Sequence, residues 1–313
     1  MKSRSILVPT FLVATTATTS VTAFAFHKTS PLLFQEFMFL SVPDFIRKTF
    51  WNTLTIVGVR RVCNLVAKFP YSSYCDTVFY FPSALLSEEV SRDNDDEQHK
   101  LLVAVTIDDG LCRQENDAAS SSLAPQVLDL LRRYDAHATF FLCTNYTCTN
   151  EDIRSQAIQL VQEGHEIGNH LEEDIMDYYR YLSGDEFGRV LDETNTLLRQ
   201  IDNADHGDNI QWFRAPQGVF THAMRKELIK RRNVRHVIGD CYCDDWALND
   251  AKYIAKTLAR QVQDGSIVIL HMPEKSLRES SLKALEMFLD RMQHRGIRCV
   301  TLGEMRKRRQ FPS

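Results

Sequence analysis

Apolar and polar positions follow two alternating periods along most of the chain. Residues 101–107, LLVAVTI, are apolar and rich in β-branched side chains, as in a strand covered on both faces, and they stop abruptly at Asp108-Asp109-Gly110. Beyond that point the spacing predicts helices over residues 124–134 and 153–163 and strands over 138–143 and 166–168. Ser183-Gly184-Asp185-Glu186 has the form of a capping box, and the helix it opens runs through Leu198. Strands follow at Trp212-Phe213 and over 235–238, 266–270 and 298–302, alternating with helices over 222–231, 252–264 and 280–295. Short strands separated by helices of this length imply a parallel sheet with right-handed crossovers, open or closed into a barrel. No internal repeat is visible.

The pattern before residue 101 is different. Residues 87–100, SEEVSRDNDDEQHK, are polar and acidic with a single aliphatic side chain, and read as a linker. Residues 26–86 form an apolar extension whose stretch 32–70 is also basic; it is expected to be helical, either packed on the main domain or lying on a membrane surface. At the start, Lys2 and Arg4 precede an uncharged run from Ile6 to Ala25 that ends in Ala23-Phe24-Ala25, the pattern of a cleaved signal peptide over residues 1–25. That leader implies the secretory pathway and a secreted or cell-surface protein. An uncleaved membrane anchor is the alternative, weakened by Pro9 and six threonines. A further one is a complex plastid, since Val21-Thr22-Ala23-Phe24 resembles the Ala-Phe junction of the leaders that lead there.

Composition narrows the class. With 44% hydrophobic and 25% charged residues, only 12 Gly and 9 Pro among 313, the chain is neither disordered nor collagen-like. A net charge of −4, or −6 once Lys2 and Arg4 are removed, lacks the basic footprint of a nucleic-acid binder. The single basic run, Arg306 to Arg309, reads as the start of a solvated tail over 306–313. Eight cysteines are compatible with an oxidising compartment but can pair in 105 ways. Asn145-Tyr146-Thr147 is a glycosylation sequon.

Chemistry in such folds sits where strands hand over to loops, and ionisable residues recur there. Asp108 and Asp109 close the first strand, His170 and Asp174 follow the strand at 166–168, Arg214 follows Trp212-Phe213, Asp240 follows residues 237–238 and His271 follows residues 267–270. Adjacent carboxylates are costly unless neutralised, and a divalent metal together with an arginine would do so. Asp109, His170 and Asp174 offer three oxygen and nitrogen ligands, the number a catalytic site uses.

These residues carry a resemblance. Thr106-Ile107-Asp108-Asp109-Gly110 resembles the T-F-D-D-G motif of the polysaccharide deacetylases with a NodB homology domain, carbohydrate esterase family 4. Residues 135–141, DAHATFF, and 164–170, GHEIGNH, are similar to the segments that follow it, and Phe213-Arg214-Ala215-Pro216, Asp245-Trp246 and Leu270-His271 match later motifs in the family's order. The resemblance covers about residues 101–305 and implies an α/β fold: a distorted, TIM-like (β/α) barrel of seven strands, here with a helical N-terminal extension. It implies a hydrolase that removes acetyl groups from N- or O-acetylated carbohydrate through a metal-activated water, with Zn2+ as the metal and Co2+, Ni2+ or Mn2+ as alternatives. Asp108 would be the general base, Asp109 and His170 metal ligands, Arg214 the partner of Asp108, and His271 the general acid. Trp246, Pro216, Gln217 and Leu270 would line the substrate site, with the Gln217 main-chain N–H directed at the oxyanion. An acetylated glycan is the implied partner.

Two departures leave alternatives open. The family's second metal histidine is replaced by Asp174, giving H-x-x-x-D as in a branch of eukaryotic deacetylase-like proteins. The segment Asp240-Cys241-Tyr242-Cys243-Asp244-Asp245-Trp246 offers more than one aspartate to orient His271, Asp245 being preferred and Asp240 its rival. A catalytically silent glycan-binding homologue, or an amide hydrolase of the same fold acting on a cyclic imide or ureide, are therefore the competing expectations.

Overall fold

The computed structural model describes residues 42–82, 101–113, 121–202, 210–231 and 233–309. The leader, the linker and residues 26–41, 83–86 and 310–313 lie outside the described residues. Contacts divide the chain into Met1–Pro43 and Asp44–Ser313, and all elements below belong to the second unit.

Seven parallel strands, β1 (Leu102–Gly110), β2 (Thr139–Leu142), β3 (Glu166–Asn169), β4 (Trp212–Phe213), β5 (Arg235–His236), β6 (Ser266–His271) and β7 (Arg298–Val300), form one curled sheet in the order β5-β4-β3-β2-β1-β6, with β7 also paired to β1. All nine residues of β1 are buried. Val103, Val105 and Ile107 pack outward into the helix layer with Val127, Leu131 and Phe288, while Leu102 and Ala104 face inward onto Phe141, Trp212 and Ile267. A strand apolar on both faces cannot show polar alternation, which is why residues 101–107 read as one continuous run.

Helices α1 (Asp44–Val57), α2 (Val59–Lys68), α3 (Ala124–Arg133), α4 (Thr144–Thr147), α5 (Glu151–Gln162), α6 (Met176–Tyr179), α7 (Gly184–Asp202), α8 (His222–Lys230), α9 (Ala251–Gln261), α10 (Glu279–His294) and α11 (Leu302–Arg308) surround the sheet. The capping box forms as the sequence predicts: Glu186 N donates to Ser183 Oγ, and Ser183 N donates to Glu186 Oε2 at 2.8 Å. Strand ends differ from expectation. β1 runs three residues further, to Gly110, because β2 and β6 supply ladder partners beyond the apolar run. The chain turns from β7 into α11 at Leu302, capped by the Thr301 hydroxyl. Arg306 to Arg308 are therefore the last turn of a packed helix and not a free tail: Arg306 bonds Gln211 and lies over Trp212, and Arg308 pairs with Glu304.

The described part of the extension is helical and packed on the barrel. Trp51 is buried with its ring edge-on to Tyr242 at 5.1 Å, Lys48 pairs with Asp250, and Arg47 pairs with Asp244. Val78 and Phe81 then join the sheet at β5 and β6, with Val78 N donating to His236 O and Phe81 N to Gly265 O. No helix among the described residues is long and apolar enough to cross a membrane. All eight cysteines are free thiols, so no disulfide holds the fold.

Arg60 on α2 reaches into the domain, its Nε 2.6 Å from the fully buried Asp240 carboxylate. Burial raises the Asp240 pKa and Arg60 opposes it. Removing one partner of a buried pair leaves an uncompensated charge, which costs about 3 kcal/mol or more. Arg60→Ala is therefore expected to lower unfolding free energy by about 3 kcal/mol in denaturant titration. A loss below about 1 kcal/mol would contradict an integral role for the extension.

Candidate active site

The site is built at the carboxyl ends of β1, β3, β4 and β6. A regular strand would send Asp108 and Asp109 to opposite faces. Here the register against β2 shifts between Ile107 and Gly110, and Asp109 takes a left-handed φ of 60°, so the alternation breaks at the strand end. Gly110 is needed there, since a Cβ would meet Leu142 Cδ2 at 2.6 Å.

Asp108 accepts from Arg214 Nη1 at 2.5 Å, and both are buried. Arg214 engages four of its five N–H donors: Nη1 also reaches Thr106 Oγ1 at 2.8 Å, Nε reaches Val237 O at 3.2 Å and Nη2 reaches Ile238 O at 2.5 Å. Its guanidinium lies over the Phe141 ring at 4.1 Å. Phe141 in turn needs Gly168, where a Cβ would stand 2.5 Å from the ring. The apolar motif residues around Arg214 thus serve to hold it flat and aimed at Asp108.

Asp108 and His271 are register partners across β1 and β6. His271 Nδ1 lies 2.8 Å from Asp245 Oδ1, and the His271 main-chain N–H donates to Asp245 Oδ2 at 2.8 Å. Burial works to lower the His271 pKa, but the Asp245 carboxylate outweighs it and the pKa is raised. Asp240 does not reach His271; it accepts from Arg60, Ser266 Oγ and Ile267 N.

Asp109 Oδ1 and Asp174 Oδ1 each lie 3.5 Å from His170 Nε2, while His170 Nδ1 is 2.8 Å from Arg214 O. Burial disfavours charge on His170, yet Asp109 and Asp174 push its pKa up to about 10. Burial would also raise the Asp109 pKa, but Arg113 and Arg278, each 2.5 Å from Oδ2, hold it well below the usual carboxylate range. Among the described residues, none donates a hydrogen bond to Oδ1. An orphaned buried carboxylate oxygen facing an imidazole nitrogen is a donor set that suits a divalent cation. Donor atoms of Asp109, His170 and Cys143 all fall within 4.8 Å of one another, and Asp174 is not in that group. Its carboxylate instead accepts the Gln217 main-chain N–H at 2.6 Å and the Gln217 side-chain amide.

The expected substrate-lining residues separate. Pro216 is buried, Gln217 is exposed with a left-handed φ of 53°, and Trp246 is half-buried beneath the Arg47 guanidinium, 5.3 Å away. Leu270 does not line the site: it is 1% exposed within the core cluster shared with the outer helices. Strand alternation puts Ile269 on the face of His271, beside Thr106, so Ile269 is the apolar side chain offered there. Sequence reasoning also missed Arg113, Arg278 and Cys143. Arg113 lies four residues after Asp109 and had a local signal; Arg278 is 169 residues distant and had none.

A curled parallel sheet whose strand ends carry an arginine-bound aspartate, an aspartate-bound histidine and a carboxylate–imidazole cluster defines an α/β hydrolytic site. Comparison with known proteins gives the class. The polysaccharide deacetylase family model matches residues 95–233. A peptidoglycan-N-acetylglucosamine deacetylase of Bacillus cereus is 30% identical over 208 residues, 65% of this chain and 87% of the relative. A family 4 acetyl xylan esterase from Clostridium thermocellum, solved in complex with a cobalt ion, matches with a TM-score of 0.56 and 25% identity over 67% of this chain and 93% of that one. A CE4 family pseudoenzyme from Bacillus anthracis shares the fold, with a TM-score of 0.54 and 22% identity over 66% of each chain. The chain belongs to the polysaccharide deacetylase family and has its NodB-type fold.

Proposed function

We propose that this chain is a metal-dependent deacetylase acting on N- or O-acetylated carbohydrate, with chitin-like oligosaccharide or polysaccharide as the substrate class. The observation that carries this reading is the pairing of two oriented groups, Asp108 on Arg214 and His271 on Asp245, beside the Asp109–His170 cluster. When bound, the metal would polarise the acetyl carbonyl and make water acidic enough to attack near neutral pH. Asp109 and His170 are the residues to hold it, joined by Asp174 once Gln217 releases its carboxylate, and carboxylate with imidazole suits zinc, with cobalt, nickel or manganese as alternatives. Asp108, aimed by Arg214, accepts the proton of the attacking water, and His271 returns a proton to the leaving amine or alkoxide. The Gln217 N–H can serve an oxyanion only once Asp174 releases it. Trp246 and Pro216 would form walls of the sugar site.

A second reading, glycan binding without turnover, is favoured by Arg113 and Arg278, which both occupy Asp109 Oδ2. One panel separates the readings: acetylated oligosaccharides and small cyclic imides or ureides incubated with protein of verified metal content. Acetate release supports the deacetylase. Glycan binding without release supports the second reading, and hydrolysis of the imides alone overturns both.

The raised His271 pKa has a sign that can be checked. A general acid works protonated, so kcat falls as pH rises through that pKa, which Asp245 and Asp109 raise and Arg278 lowers. Asp245→Asn removes the main attraction and is expected to move the alkaline limb of the pH–kcat profile down by about one unit or more. An unmoved limb would remove His271 from the acid role.

A further inference from the structure

We infer that Cys143 is a ligand of the metal in this protein, a thiolate beside Asp109 and His170. The inference rests on the metal-dependent reading above and supplies a donor that the Gln217-bound Asp174 does not. Sheet order makes the placement. β2 lies between β1 and β3, Gly110 pairs with Leu142, and Leu142 pairs with Asn169. The residue after Leu142 therefore stands between the strand ends that carry Asp109 and His170. Cys143 occupies it, fully buried, with its N–H on Gly110 O at 3.0 Å and its Sγ 3.6 Å from His170 O.

The donor atoms of the three residues lie within 4.8 Å of one another. In a tetrahedral zinc site, with sulfur at about 2.3 Å and nitrogen or oxygen at about 2.0–2.1 Å from the ion, such donors stand roughly 3.6 Å apart. Side-chain movement on the order of 1 Å thus closes the cluster. The second observation is the Asp109 Oδ1 atom, buried and without a hydrogen bond among the described residues, facing His170 Nε2.

Charge points the same way. Asp108, Asp109 and Asp174 are already matched by Arg214, Arg113 and Arg278. A divalent ion added to a buried set that already holds an arginine for each of these carboxylates brings uncompensated positive charge. As the metal–sulfur bond forms, the Cys143 S–H bond breaks and its proton leaves to solvent, which removes one of those charges without any change of oxidation state. A sulfur donor also selects Zn2+ and Co2+ over Mg2+ and Mn2+.

Absorption of the full chain loaded with Co2+ tests this. The expected spectrum has visible d–d bands together with a near-ultraviolet sulfur-to-cobalt charge-transfer band. Cys143→Ser and Cys143→Ala are expected to lose the charge-transfer band, and Co2+ binding is expected to weaken roughly a hundredfold or more, beyond the loss of an outer-sphere partner. Cys75→Ser, at an exposed position, keeps both. Visible bands in the unmutated chain without the charge-transfer band overturn the role of Cys143 while leaving the metal-dependent reading intact, and so does a band that survives in either Cys143 variant. Failure of the unmutated chain to take up Co2+ or Zn2+ overturns the metal-dependent reading itself.

Discussion

Asp108→Asn is expected to lower kcat for acetate release by about a thousandfold while KM changes little, the cost of removing a general base that acts only as the water is deprotonated. The substitution keeps the side-chain shape, and Arg214 retains Thr106 Oγ1, Val237 O and Ile238 O as acceptors, so the fold should survive. A circular dichroism melt within a few degrees of the parent, with activity nearly absent, is the predicted combination. Retained activity would mean that another group takes the proton.

Arg214→Lys is the second large effect, and it is expected in stability as well as rate. The guanidinium makes a fork of contacts to a carboxylate, a hydroxyl and two carbonyls while lying flat on Phe141. An ammonium group keeps the charge but cannot reproduce the fork or the stacking. Buried acceptors left without donors cost about 1–3 kcal/mol each, so a loss of about 3 kcal/mol in unfolding free energy is predicted, together with a kcat reduced about a hundredfold by misorientation of Asp108. Arg214→Lys with near-parental stability would show that the fork is not what holds Asp108.

The fold was readable because its strands announce themselves. A strand buried on both faces must be apolar throughout, and the helices between strands have one apolar stripe each, so the order of elements from 101 to 302 survives in the pattern alone. The site residues were readable for a related reason: Asp108, Arg214 and His271 follow apolar runs directly, where a buried charge has no structural excuse, and His170 stands at the end of the short strand Glu166–Asn169. What escaped was set by three-dimensional neighbourhood. Arg278 reaches Asp109 from a loop far along the chain. Leu270 and Ile269 are both apolar, and only the strand's facing tells which one meets the site. The choice between Asp240 and Asp245 turned on Arg60, which claims Asp240 from a helix outside the motif region. Asp174 illustrates the remaining difficulty: its spacing from His170 matches a ligand pair, but Gln217 holds its carboxylate.

The most direct measurement is acetate release from an N-acetylated chitin oligosaccharide by the purified chain, before chelation, after chelation and after readdition of Zn2+ or Co2+. The account predicts release that chelation abolishes and either metal restores. Release that is indifferent to chelation, or no release from any acetylated glycan by protein verified to carry metal, would contradict it.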